Sequence, residues 1–346
     1  MRLRAAARQV KDRRRYNVVL HGARLARVPR FPLTALEFLM STDHFYPIGT
    51  PGQPWGEAER SAWHALQQRQ RSYHDDVLAV MEQLGDGFEV VQYGQLDYAP
   101  DHYPLLAAVS RAWDPELPSA LITGGVHGYE TSGVHGALQF LRGRAREYTG
   151  RFNLLVAPCV SPWGYERIQR WNPDALDTNR AFRAGETAEE AGALMRWIAG
   201  RGDELLVHVD LHETTDSDGH EFDPARCSRD GKELVPETIP DGFYVIGNSE
   251  NPVPDFQRAL IAAVEKITHI APPDANGELI GMPLQSHGVV WGESRSIGAC
   301  AGFTDARYAT TTEVYPDSPL TSPAECNDAQ EAAVCAALDY ALAHRT

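Results

Sequence analysis

The sequence contains no apolar run approaching the ~18 residues of a membrane-spanning helix, which excludes such a span. Its five cysteines (Cys159, Cys227, Cys300, Cys326 and Cys335) are odd in number, widely spaced and form no C-x-x-C pair. That usage excludes a disulfide framework and fits buried apolar thiols in a reducing compartment. No internal repeat occurs; Gly-Val-His-Gly at 125–128 and again at 133–136 is too short to be one. Basic side chains are scarce over most of the chain. Residues 1–39 hold ten Lys/Arg and two acids, so the remaining body has 22 basic and 45 acidic side chains, net −23. Such a body repels phosphate backbones and anionic lipids, which argues against nucleic-acid or membrane binding by the main domain.

What is present is globular. A hydrophobic content of 43% with 23% charged residues matches an ordinary folded protein, and the length provides a large core. The basic leader does not read as a secretory signal, because Val18-Val19-Leu20 is broken at once by His21, Arg24 and Arg27. Arg13-Arg14-Arg15 lacks the apolar region of a twin-arginine signal. The expectation is a poorly packed tail, or translation starting at Met40, with residues 40–346 forming one catalytic domain in the cytoplasm.

The periodicity predicts a long amphipathic helix over 56–84, from Trp63, Leu66, Tyr73, Val77, Val80, Met81 and Leu84, stopped by Gly85. Short apolar runs at 88–93, 104–109, 120–123, 152–157, 205–211, 243–246 and 309–315 predict strands, several buried on both faces. Helices are expected at 131–146, from a capping box at Thr187 and Glu190 to Gly200, at 254–268, and from Ser322 to the end. Alternating strands and helices give an α/β fold, with a mixed, mostly parallel central sheet flanked by helices on both faces. Residues 214–241 read as a long polar loop, of the kind that forms a wall or lid.

Four segments carry chemistry, at or near the strand ends where open α/β sheets bind ligands. Leu121-Ile-Thr-Gly-Gly-Val-His127-Gly-Tyr-Glu130 runs a strand through glycines into His-x-x-Glu, a spacing that lets imidazole and carboxylate converge on one metal ion. Taken alone, the motif is weak and fits better a helix-start Glu beside a hydrogen-bonded His. His135 has no acid three residues on and reads as structural. Leu205-Leu-Val-His208-Val-Asp210-Leu-His212-Glu213 delivers His-Asp-His to one face of an apolar strand. His212, at the strand end, is the candidate ligand; His208 sits deeper, as a hydrogen-bonded core histidine. Two His and one Glu form an open zinc set. Arg170-Trp-Asn172 and Asp177-Thr-Asn179-Arg180 offer a guanidinium fork for a carboxylate, or an arginine paired with one of many acids. Ala309-Thr-Thr-Thr-Glu313-Val-Tyr315 places one carboxylate in a strand.

In this order the segments resemble the zinc metallocarboxypeptidase family, including its aspartoacylase and succinylglutamate desuccinylase branch, over about residues 85–340. Gly-Gly-x-His-Gly-x-Glu and Asp-Leu-His are most similar to the deacylase and bacterial amidase side. Arg170-x-Asn172 with Asp177-x-Asn179-Arg180 is similar to the bacterial peptidase side. The resemblance implies one Zn(2+) per chain held by His127, Glu130 and His212, with Asp177 orienting His127. It implies Glu313 as general base, Arg170 as oxyanion stabiliser, and Asn179 and Arg180 as binders of the substrate carboxylate. The implied activity is hydrolysis of an amide next to a free carboxylate, by a carboxypeptidase or peptide amidase acting on small peptides. The alternative is a deacylase acting on an N-acyl amino acid; a catalytically inactive binding protein on the same fold is disfavoured. The separation between His212 and Glu313 is longer than in compact digestive carboxypeptidases, and Tyr308 and Tyr315 are the candidates for their substrate-capping tyrosine.

Overall fold

The computed structural model describes residues 45–185 and 188–345. The basic leader, Met40 and the expected cap Thr187 lie outside these residues. Alternating apolar segments build one eight-stranded sheet: β1 (Phe88–Tyr98), β2 (Asp101–Ser110), β3 (Ser119–Gly124), β4 (Asn153–Ala157), β5 (Leu205–Glu213), β6 (Tyr244–Asn248), β9 (Val289–Gly292) and β10 (Tyr308–Val314). Two-residue β7 (Glu278–Leu279) and β8 (Met282–Pro283) form a separate hairpin. The order in the large sheet is β1-β2-β4-β3-β5-β10-β6-β9. Its four central strands, β4, β3, β5 and β10, are mutually parallel, and the antiparallel pairings lie to either side.

Period-two alternation divides the core. Ile122, Leu154, Val156, Val207, Val209 and Leu211 join the main cluster under one layer of helices, Thr131–Arg142, Pro254–Val264 and Pro323–Ala343. Leu121 and Leu155 face the other way, toward the layer containing helix Glu189–Arg201. His208, Asp210 and His212 also point to that second face, alternating with the apolar Val207, Val209 and Leu211. All five cysteines are buried and free. Among the described residues, no helix is long and apolar enough to cross a membrane.

Two expectations need correction. The 56–84 helix is broken: Glu57–Leu66 is helical, and a π-turn His74–Leu78 then leads into Ala79–Met81. Leu66, counted in the apolar stripe, is 62% exposed. Tertiary bonds override the helical period between the two pieces. Gln70 N and Arg71 N donate to Glu166 O, while the Arg71 guanidinium donates to Tyr165 O, to Gly128 O at 2.6 Å and to Thr131 Oγ1 at 2.8 Å. The 214–241 stretch is not a plain loop either. It contains a π-turn, Asp218–Phe222, running into helix Asp223–Asp230, whose Pro224 occupies a first-turn position. At the other end, Ser322 caps the C-terminal helix as its sequence predicts, accepting from Glu325 N.

Candidate functional site

The C-terminal ends of the four parallel strands converge on one point. β3 leads into Gly124-Gly125, where Gly125 has φ +58° and an added Cβ would lie 2.6 Å from Val134 Cγ2. A side chain there would be both strained and crowded, so glycine lets the chain reverse into His127-Gly-Tyr-Glu130. Gly128 passes so close to the Gly164–Tyr165 backbone that a Cβ has no room. Arg71 then clamps the turn through Gly128 O and Thr131 Oγ1. Helix Thr131–Arg142 begins immediately afterwards, and its first free amides, Thr131 N and Ser132 N, donate to the Glu213 carboxylate at 3.0 and 2.7 Å. Glu213 thereby ties the end of β5 to the turn.

His127, Glu130 and His212 are all buried, and one potential ligand atom from each lies within 4.8 Å of the others. His127 Nδ1 is 2.6 Å from Glu130 Oε1, and His212 Nδ1 is 2.7 Å from Glu130 Oε2. Each outer nitrogen faces an aspartate: His127 Nε2 is 3.0 Å from Asp177 Oδ1, and His212 Nε2 is 2.8 Å from Asp210 Oδ2. This pattern holds a ring with its Nδ1 lone pair directed inward. Despite the short approach of His212, Glu130 Oε2 has no hydrogen-bond partner of good geometry among the described residues. An orphaned buried carboxylate oxygen beside two inward nitrogens fits a divalent cation of the zinc type. Burial raises the Glu130 pKa, but the His212 and His127 imidazoles outweigh it and bring it down to about 2.

β10 brings Glu313 into register with His212, so the two side chains emerge together on one face. Thr214 Oγ1 donates to Glu313 Oε2 at 3.0 Å. Desolvation, with Glu130 and Asp218 nearby, pushes the Glu313 carboxyl up to about 8 against the opposing pull of His212. A bound cation would draw it back down. From the opposite helix layer, the buried Gln330 donates to His212 O at 2.8 Å and accepts from Thr312 Oγ1 at 2.5 Å, locking the adjacent strand ends.

The segment after β4 supplies the arginines. Arg170 Nε donates to Asp177 Oδ2 at 3.1 Å, and Nη1 lies 3.3 Å from both Tyr129 Oη and Asp218 Oδ1. Nη2 has no protein partner among the described residues. Asn179 is buried, and its Oδ1 accepts from Cys300 N at 2.7 Å. Arg180 donates to Asn179 O at 2.7 Å and pairs with no carboxylate among the described residues. Its side chain is exposed, in a protein with a large acidic excess.

The structure therefore gathers His127, Glu130, His212, Asp177, Glu313 and Arg170 at one locus, with Asn179 and Arg180 following Asp177 on a 3-10 turn. His208 is fully buried and bonded within the core, and His135 lies 3.2 Å from Tyr165 Oη. Tyr308 cannot cap a substrate: it is buried against Phe256 and Tyr340. Tyr315 is partly exposed, and its hydroxyl donates to Asp216. Sequence reasoning missed Asp218, Arg71, Gln330 and the orienting role of Asp210. Asp210 alone carried a signal, its i−2 spacing from His212 on one strand face; the others come from distant segments.

Residues 116–233 match the family described as succinylglutamate desuccinylase/aspartoacylase catalytic domain. No curated protein matches the chain. Among solved structures, a candidate metallopeptidase from Shewanella amazonensis SB2B is 21% identical with TM-score 0.59, covering 79% of this chain and 98% of that one. A metallo-carboxypeptidase from Burkholderia cenocepacia is 14% identical with TM-score 0.52, covering 83% of this chain and 69% of that one. A Pseudomonas aeruginosa metallo-carboxypeptidase in complex with (2-guanidinoethylmercapto)succinic acid is 14% identical with TM-score 0.50, covering 84% and 70%. The α/β fold is thus shared with metallocarboxypeptidases, and the resemblance to that family, including its aspartoacylase branch, holds.

Proposed function

We propose that the protein is a zinc-dependent hydrolase that cleaves an amide or peptide bond next to a free carboxylate, with residues 40–346 as its catalytic domain. One observation carries this reading: the His127, Glu130 and His212 side chains converge around an orphaned carboxylate oxygen, with Glu313 in register beside them. These three side chains would hold zinc, with Asp177 and Asp210 fixing the imidazoles. The ion would supply Lewis acidity for activating water and the scissile carbonyl. Glu313 would accept a proton at its carboxylate and return it to the leaving nitrogen. Arg170 Nη2 is the donor available to a developing oxyanion, because Asp177, Asp218 and Tyr129 hold the rest of the guanidinium. Asn179 Nδ2 and the Arg180 guanidinium would grip the substrate carboxylate and fix the bond relative to the metal centre.

Small peptides are the leading substrates. The match of residues 116–233 supports a second reading with the same chemistry, deacylation of an N-acyl amino acid. Amino-acid release from a panel of small peptides and N-acyl amino acids separates the two. On the substrate that turns over, Glu313→Gln should lower kcat by roughly 10²- to 10⁴-fold. Unchanged hydrolysis in that variant, with no stoichiometric zinc in the purified protein, would show that the hydrolysis does not come from this site and would overturn the reading in favour of a binding protein.

A further inference from the structure

Behind Asp210 lies a line of buried polar groups that the hydrolytic reading does not use. In the sheet, Thr123 on β3 is in register with Asp210 on β5. Thr123 Oγ1 lies 2.6 Å from Asp210 Oδ1 and 3.3 Å from His208 Nε2. His208 Nδ1 lies 3.1 Å from Thr304 Oγ1. Thr123, His208 and Asp210 are each 0% exposed, so bulk solvent does not reach them. Phe303 meets the His208 ring edge to face at 5.4 Å, and Cys300 Sγ closes the side at 3.6 Å from Thr123 Oγ1.

The donor and acceptor inventory sets the direction of the bonds on Asp210. A histidine that ligates through Nδ1 carries its proton on Nε2, so His212 donates to Asp210 Oδ2. The Asp210 carboxylate is then an acceptor on both oxygens, and at 2.6 Å the Thr123 hydroxyl must donate to Oδ1. A hydroxyl has one proton, so Thr123 has only lone pairs left for His208. Cys300 Sγ, 3.9 Å from His208 Nε2, could donate there instead; with its proton on Nε2, His208 donates to Thr123. Its bare Nδ1 in turn accepts from the Thr304 hydroxyl. The bonds from Thr304, His208 and Thr123 then all run toward Asp210, whose other oxygen accepts from His212.

We propose that Thr123, supported by His208 and Thr304, is a positioning residue for the metal centre. It fixes the Asp210 carboxylate so that Asp210 holds His212 in its metal-binding tautomer and orientation. The proposal rests on His212 being a metal ligand, and extends the site to three residues that never touch the ion. It also explains why an apolar strand buries His208: its role is to direct a proton, which an apolar residue of similar size cannot do.

The test is zinc affinity, measured on the full chain by competition with a chromophoric chelator. Thr123→Val preserves shape and removes the hydroxyl. It should weaken zinc binding roughly tenfold, while Thr123→Ser, which keeps the hydroxyl, should stay within about threefold of wild type. Equal affinities for wild type and Thr123→Val, or a Thr123→Ser variant as weak as Thr123→Val, would overturn the proposal. Should the valine variant not fold, ¹⁵N spectra of the wild-type histidine rings decide. The Nε2–H tautomer is expected at His208, and an Nδ1–H tautomer would overturn the support assigned to His208 and Thr304. A wild-type chain with no zinc affinity would instead remove the metal reading on which the proposal stands.

Discussion

Arg170 and Arg180 carry the same charge ten residues apart and are held in opposite ways. Arg170 is locked on three sides, by Asp177, Asp218 and Tyr129. Its remaining donor can be preorganised where charge develops during reaction. Among the described residues, Arg180 is tied only to the backbone carbonyl of Asn179, and the residue is exposed. A guanidinium left without an acid, in a chain with 47 Asp+Glu against 32 Lys+Arg, suits an anion supplied from outside. Removing it should cost charge-assisted hydrogen bonds of about 1.5–3 kcal/mol. Arg180→Ala should therefore raise KM roughly ten- to a hundredfold for substrates with a free carboxylate. The same substrates amidated should change little, and an equal effect on both forms would refute the clamp role.

At the scale of elements, the 170–180 segment has no regular structure before its 3-10 turn, yet the proposed roles of Arg170 and Arg180 need both side chains held still. Asn172 organises it: Oδ1 accepts from Asp174 N and Leu176 N, and Nδ2 donates to Glu190 Oε2 at 3.3 Å. Glu190 lies in the first turn of helix Glu189–Arg201, and its other oxygen accepts from Tyr98 Oη at 2.8 Å. It is fully buried, and desolvation pushes its pKa up to about 7 from an ordinary 4.5, despite these donors. Between those two values, the unfolded chain has released a proton that the folded chain keeps. This group's contribution to stability is therefore complete below the unfolded pKa and declines as pH rises toward 7. The full decline amounts to about 3 kcal/mol. Glu190→Gln keeps a neutral hydrogen-bonding group and removes the titration. Urea unfolding at pH 5 and pH 8 should show a smaller loss of stability with pH in the variant than in wild type. Parallel losses in both proteins would show that Glu190 does not titrate in this window.

For the whole molecule, the candidate ligands come from the β3 turn and from β5, and Asp177, on the segment after β4, holds one of them. A cation at their meeting point would cross-link segments that are remote in sequence, and would offset the buried carboxylates of Glu130, Asp177 and Asp210. A ligand that binds only the folded state at one hundred times its Kd stabilises by about 2.7 kcal/mol. Chelation of the metal-loaded protein should therefore lower Tm by several degrees, with recovery on adding zinc back. A Tm indifferent to chelator and to zinc would count against a metal linking these elements.

The sequence by itself determined the α/β class, most of the strands and the identity of the chemical groups. Burial patterns of period two, glycines after a strand, and His-x-x-Glu are local features, written in residues a few positions apart. It also made His212 rather than His208 the candidate ligand, because strand position alone separates a site-end residue from a core one. It did not determine where the 56–84 helix breaks, since Arg69 and Arg71 leave the helical period for partners near residues 101, 128 and 166. Nor could it give Asp218 to Arg170, Gln330 to His212, or Thr123 to Asp210. Those pairings join segments 48, 118 and 87 residues apart. Only tertiary structure decides them, because a hydrogen bond is set by distance and angle in space, and spacing along the chain carries no trace of either once a sheet crossover intervenes.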